Sequence, residues 1–292
     1  MVAPMKVISV NVGLPRTIQW KGRTVSTGIY KAPVSGRVPL RSLNLDGDRQ
    51  ADLSVHGGPY KAVYAYPVEH YAYWRREFPD MALPWGMFGE NLTTEGLSAE
   101  DALQVGDRFR IGSAELVVTQ PRLPCYKLGL RFGRDDMARR FLASGRTGFY
   151  LRVAGEGDVA AGGPIVQKGR AEGSIPVSEL TRLYARDKDD LEGLRRIVQV
   201  AALPDDWRDY FKRRISEVSA RHERRSGLVV TTAGLLAEEV SALRRLAQDR
   251  RAASFVRFRN GGRPVQPFGP EMPEKADLLV NLPSISARND RS

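Results

Sequence analysis

The sequence predicts a mostly β protein with helices: a closed or sandwiched β domain, then a small three-helix unit, then a poorly ordered basic tail. Three observations predict it. Short β-branched segments punctuated by Gly, Pro and Asp fill residues 1–170, with two helical interruptions. Over residues 174–222 the apolar spacing changes from two to three and four. Over 223–292, and most clearly from Arg250, the composition turns to Arg, Pro, Gly and Asn with scattered apolar side chains.

Taken in order, Lys6–Val12 alternates, is rich in β-branched residues, and stops at Gly13-Leu14-Pro15. Residues 27–32, 37–45 and 61–66 continue the strand pattern. Residues 103–111 and 114–120 flank Gly112-Ser113, a two-residue hairpin signal, and 147–153 and 165–167 supply later strands. Residues 68–78 space Tyr71, Trp74 and Phe78 by three and four, and residues 135–143 treat Met137, Phe141 and Leu142 similarly, so both read as helices. Many short strands with few helices argue against a doubly wound sheet. The three helices of the second unit are 177–186, 190–201 and 206–220. The third opens at Pro204-Asp205 and carries Trp207, Tyr210, Phe211, Ile215 and Val218 on one stripe. An exposed face of this unit could serve a homodimer. A further helix is expected at 235–247 before a flexible tail.

Of the 292 residues 42% are hydrophobic, and a mean hydropathy of -0.36 matches soluble globular chains. No stretch approaches the ~18 uninterrupted apolar residues of a membrane span. The opening MVAPMKVISVNVGLP lacks a long apolar run, so no export signal and a cytoplasmic location are expected. One cysteine excludes an internal disulfide framework, a Cys-rich zinc site and a protein-held iron–sulfur cluster, and three histidines leave little for a multi-histidine cage. The net charge is +11. Residues 1–168 hold 22 basic and 16 acidic side chains, and 169–292 hold 23 and 18, so the excess is spread evenly. A nucleic-acid groove binder concentrates its excess on one element. An anionic cofactor or substrate suits this chain better.

Three segments hold residues able to do chemistry. Cys125 stands in Gln120-Pro121-Arg122-Leu123-Pro124-Cys125-Tyr126-Lys127, directly after a strand, where two prolines restrict the backbone. Arg122 and Lys127 lie close enough in sequence to favour the thiolate, the form that binds metals or attacks, while a small buried hydrophobe is the bland alternative. Val55-His56-Gly57-Gly58-Pro59-Tyr60-Lys61 exposes backbone N–H groups beside a lysine and could hold a phosphate, or be a plain turn. Just before it, Asp46, Asp48 and Asp52 suggest a divalent ion, but the spacing fits no calcium loop, and a solvated turn is expected. In Gly89-Glu90-Asn91-Leu92-Thr93, an extended chain puts Asn91 and Thr93 on one face, where an amide suits a pterin or purine edge; a turn role is the alternative for Asn91.

Together, GDRQAD, VHGGPYKAV, FGENLTTEGL, VGDRFRIG and QPRLPCYKL, in that order, resemble the MOSC domain, named for the C-terminus of molybdenum cofactor sulfurases, and specifically its YiiM-like branch. The resemblance covers about 5–168, and 175–222 is similar to that branch's three-helix extension. It implies a β-barrel-like fold that binds a molybdopterin-type molybdenum cofactor, with Cys125 as metal ligand. It further implies an oxidoreductase that removes the oxygen of N-hydroxylated compounds such as hydroxylaminopurines. By motif, Asn91 would lie near the metal centre; Lys61 and Arg122 would meet the pterin or phosphate, with Gly57 and Gly58 giving close backbone approach. Thr93 and Arg49 join the cofactor-binding candidates, and His56 or Glu90 could relay protons.

No dinucleotide fingerprint is present, so electrons are expected from an external flavoprotein or ferredoxin-type reductase. Residues 253–268 faintly resemble the opening of a ferredoxin-reductase-type module, against the simpler reading of a disordered tail. Two rivals stand beside the reductase: a sulfur carrier using a Cys125 persulfide, and a non-catalytic binding module. A Cys–His hydrolase is the weakest alternative, because nothing in the sequence puts His56 beside Cys125.

Overall fold

Residue order explains most of the architecture of this computed structural model, which describes residues 4–53, 56–97, 103–225, 228–231, 256–260, 263–264 and 277–280. The first region contains β1 (Lys6–Val12), β2 (Arg16–Trp20), β3 (Arg23–Thr27), β4 (Ala32–Pro33), β5 (Val38–Leu40), β6 (Val63–Pro67), α1 (Val68–Glu77) and β7 (Leu92–Glu95). It continues with β8 (Arg108–Ile111), β9 (Ala114–Pro121), α2 (Tyr126–Phe132), α3 (Met137–Ser144), β10 (Phe149–Gly155), β11 (Gly157–Val159) and β12 (Ile165–Gly169).

The main sheet runs β12-β8-β9-β10-β6-β7-β1-β4, and within it only β6 and β7 pair in parallel. Its ends meet. Val7 donates to the Gly163 carbonyl at 2.9 Å, Gly162 to Val7 at 2.8 Å, and Ile165 to Met5 at 2.9 Å, so β1 is stitched to the start of β12 and the sheet curls into a barrel. β6, the strand Val-Tyr-Ala-Tyr-Pro, is buried at every position because both of its faces are covered. One covering is an aromatic cluster contributed by α1, α2, α3 and the loop before β7. Tyr66 stacks on Phe88 at 4.4 Å between centroids, and Phe141 stacks on Tyr66 and Trp74 at 5.9 Å each. Trp74 donates its indole N–H to the Tyr66 hydroxyl at 2.7 Å, and Tyr66 donates to the Arg146 carbonyl at 3.0 Å, so the polar ends of these rings are satisfied inside the core.

The expected strands differ from the observed ones in physically simple ways. Residues 16–27 form a hairpin that pattern reading misses, because both strands are largely exposed and polar; Lys21 and Gly22, with φ of 50° and 73°, make its turn. Of the strand expected at 27–32, only Ala32–Pro33 pairs with β1. The one expected at 37–45 shrinks to Val38–Leu40, since the chain turns back so that Leu40 bridges Leu45. α2, immediately after Cys125, is also new; Gly133, with φ of 64°, ends it.

The three expected helices are α4 (Val177–Ala185), α5 (Leu191–Ile197) and α6 (Asp205–Arg225), the last longer than expected. Asp190 caps α5 by accepting the Gly193 N–H at 2.9 Å. Among the described residues no helix is long and apolar enough to cross a membrane. In the unit beginning at Ile215, the residues expected to fold weakly contain four paired strands, β13 (Leu228–Thr231), β14 (Val256–Asn260), β15 (Arg263–Pro264) and β16 (Asp277–Val280), in the order β13-β16-β14-β15. The helix expected at 235–247 lies outside the described residues.

Candidate functional site

β9 delivers the site. It ends at Pro121, whose missing N–H cannot extend the ladder, and Pro124 stiffens the three residues that follow. Cys125 then sits half-buried at the N-cap of α2, with extended φ and ψ of -114° and 172°. Burial raises the thiol pKa, but a hydrogen bond from His56, the charge of Arg122 and the Lys127 backbone N–H outweigh it and bring the value down to about 7. The structure therefore does put His56 beside Cys125, from a loop 69 residues earlier, a proximity that nothing in the sequence signals.

Cys125 stands where two clefts meet. The first, about 90 Å³, is cationic, lined by Lys31, Arg49, Lys61, Arg122 and Lys127 around His56 and Gly57. The second, about 440 Å³, shares His56, Lys61, Cys125 and Tyr150 with the first and runs past Gln120 to Tyr184, Trp207 and Tyr210 of the helical unit. The second is of small-molecule size, whereas the first is a narrow, water-sized recess that opens beside it.

Arg122 is the most constrained cation in the first cleft. Its guanidinium lies 4.8 Å from the centre of the Tyr64 ring and 5.4 Å from that of Phe141, and the residue is 6% exposed. Burial opposes its charge, yet the Tyr64 and Tyr150 hydroxyls and Cys125 overcome that and hold its pKa above the ordinary value. Tyr64 and Tyr150 are cross-strand partners on β6 and β10 with ring centres 5.3 Å apart, so both flank the guanidinium, while the Tyr64 hydroxyl donates to the Thr147 carbonyl at 2.8 Å. Even so, the buried Nη1 has no hydrogen-bond partner, an orphan donor at the wall of a cationic cleft.

Beneath the cleft lies a buried ion pair of Lys31 with Asp48. Burial lowers the Lys31 pKa despite that partner. Asp48 also accepts the Gly13 N–H at 2.9 Å and the Asn91 Nδ2 at 2.8 Å. Asp48 is thus no part of a solvated turn, whereas Asp46 is exposed and pairs with Arg41 at 3.2 Å. Among the described residues no group of three or more His, Cys, Asp or Glu is placed to hold a metal ion.

The other predicted residues divide. Asn91 lines the cleft, but its amide is engaged internally: Oδ1 accepts the Tyr64 N–H at 3.1 Å while Nδ2 serves Asp48. Thr93 does not line either cleft; it is fully buried, and its hydroxyl is engaged inside the core, accepting from Asn11 and donating to Glu90 at 3.0 Å. Glu90 is likewise walled in. It accepts from Tyr71, the Gly86 and Phe88 N–H groups and Thr93, and burial raises its pKa, so it organises the loop and has no path to the cleft. Gly57 lines the first cleft with φ of 149°, while Gly58 lines neither. Arg49 enters the cleft wall through a close backbone approach: a Cβ on Gly28 would lie 2.5 Å from the Arg49 carbonyl. Sequence reasoning missed Lys31, Tyr64, Tyr150 and Gln120. The available signal was the inward alternation of Tyr64 and Tyr150, but it needs the pairing register to be read.

With this geometry, comparison with known proteins decides the family. Residues 52–166 match the MOSC domain and 175–217 match the YiiM-like 3-alpha helix domain. The chain is 42% identical to the uncharacterized protein YflK of Bacillus subtilis, covering 71% of this chain and 93% of YflK. The chain belongs to the YiiM-like branch of the MOSC family. Protein YiiM of Escherichia coli is 39% identical over 65% of this chain and 85% of its own. The crystal structure of YiiM from Geobacillus stearothermophilus superposes with a TM-score of 0.61 at 33% identity, covering 73% of this chain and all of that one. A Gibberella moniliformis protein named reductase is 35% identical over 49% of this chain, which spans only 26% of that longer protein. As a YiiM-like MOSC protein, this chain joins a family associated with the molybdenum cofactor sulfurase C-terminal domain and with at least one reductase-named member.

Proposed function

We propose that this YiiM-like protein is a molybdenum-cofactor-dependent reductase that removes oxygen from N-hydroxylated compounds of the hydroxylaminopurine kind. The observation that carries the reading is Cys125, a thiol with a pKa of about 7 at the junction of a cationic cleft and an aromatic one. The residues fit the cofactor. A soft thiolate suits a redox metal, and the orphaned Nη1 of Arg122 offers a charge-assisted donor to a phosphate or pterin oxygen. Lys61 and Arg49 add positive charge on the same wall.

When bound, the molybdenum cofactor supplies a two-electron centre able to accept the oxygen of an N–OH group. The chain's own work is binding and proton handling. Cys125, with a pKa of about 7, would hold the metal through its sulfur; a thiol must lose its proton to do so. His56 lines the same two clefts as that sulfur and is the group placed to relay the proton. Asn91 keeps the floor in place by tying the Tyr64 backbone to Asp48. Electrons come from a separate flavoprotein or ferredoxin-type reductase.

Metal content tests this directly. Protein made in a host that synthesises the cofactor is expected to hold about one molybdenum per chain by mass spectrometry, and Cys125→Ser only a small fraction of that, because a hydroxyl is a poor ligand for a soft metal. Loaded wild-type protein with a chemical reductant is expected to convert a hydroxylaminopurine to the amine. Undiminished turnover by Cys125→Ser would overturn the assignment.

A further inference from the structure

We propose that the helical unit forms the substrate-recognition wall of this site: Tyr184, Trp207 and Tyr210 stack a flat nitrogen heterocycle whose N–H edge is read by Gln120. This rests on the reductase reading for the fate of the substrate, but not for whether the ring binds.

The second cleft opens from Cys125 and Tyr150 towards α4 and α6, which line it with Tyr184, Trp207 and Tyr210 and with the charged Asp206 and Arg213. Tyr184 lies 5.3 Å from Tyr210 and 5.6 Å from Trp207, centroid to centroid, at tilted angles. Trp207 packs as the floor, while Tyr184 and Tyr210 remain half-buried. Neighbouring Phe211, by contrast, is fully buried and belongs to the core. Half-buried rings grouped along a cleft expose π-faces that can take a planar ring. An independent feature points to what that ring presents. Gln120, which lines the same cleft as Cys125 and the rings, is 1% exposed, and its amide oxygen is buried without any hydrogen-bond partner. An unpaired buried acceptor favours a ligand that brings an N–H to it and disfavours one that cannot. Cys125 bounds the same cleft, so a ring held there keeps its substituent on the side of the reacting centre.

The test uses metal-free full-length protein and 2-aminopurine, whose fluorescence is quenched on stacking. Saturable quenching by the wild-type chain is expected. Tyr210→Leu is expected to weaken binding about tenfold, as loss of one stacking platform does. Gln120→Leu, which keeps the volume and removes the acceptor, is expected to weaken it about fivefold or more. Helical circular dichroism checks that both variants retain the wild-type fold, and Gln120→Leu leaves the helical unit untouched. No saturable quenching by wild type, or dissociation constants for both variants within twofold of wild type, would overturn the proposal. Molybdenum content, measured on separately loaded protein, tells the two claims apart: aromatic-dependent binding by a chain that never acquires molybdenum keeps this wall and removes the reductase.

Discussion

Replacing His56 by Ala removes the hydrogen bond that does most to lower the Cys125 pKa. The folded wild-type thiol titrates at about 7 against an ordinary value of 9.0. Two units correspond to somewhat over 2 kcal/mol at ~1.4 kcal/mol per unit, and screening from the open cleft trims that to about 2 kcal/mol. His56→Ala leaves Arg122 and the Lys127 N–H in place, so the value is expected to climb without recovering fully. The chain has a single cysteine, so the ultraviolet absorbance of its thiolate reports this group alone once the Cys125→Ser signal is subtracted. A depressed folded pKa also fixes the sign of the stability effect. The contribution of the thiolate is present above the unfolded pKa and is lost as pH falls through about 7. Urea unfolding of metal-free protein is therefore expected to show wild type gaining about 2 kcal/mol relative to Cys125→Ser between about pH 6 and about pH 9. A thiol that titrates at or above the free-cysteine value, or that ignores His56→Ala, would refute the electrostatic account.

Three further perturbations probe the frame around the thiol. Asp48→Ala leaves the Lys31 ammonium buried without its partner and strands the Asn91 Nδ2, and is expected to destabilise the chain by about 3–5 kcal/mol in urea melts. Gly28→Ala puts a Cβ against the Arg49 carbonyl and is expected to lose about 1–3 kcal/mol, with weaker binding of anions in the first cleft by isothermal titration. Phe141→Ala removes a ring stacked on Tyr66, Trp74 and Phe88 and is expected to cost about 3–5 kcal/mol by denaturant titration.

Local pattern was informative wherever one face of an element is buried and the other is not. α1 is legible because Tyr71 and Trp74 fall on one side of it, and β8 because exposed arginines alternate with Phe109 and Ile111. The β2–β3 hairpin has no such contrast and could not be read. At the site, Cys125, Lys61, Arg122, Gly57 and Arg49 were identified and do line the first cleft, whereas Thr93 and Gly58 do not. Asp48 looked like surface because charge in a Gly-Asp loop usually is; its buried lysine partner is 17 residues away.

The amino-acid order by itself determined the types of those elements with one buried face, the change of period near residue 174, the loop that stiffens around Cys125, and the motif series that marks the family. All of these are local in the chain. Only the tertiary structure decided that His56 and the thiol line one cleft, that Tyr64 and Tyr150 flank Arg122, and that rings from α4 and α6 reach the second cleft. Those relations depend on strand register and on the packing of segments tens of residues apart, and shifting a strand by one residue would turn each of its side chains to the opposite face.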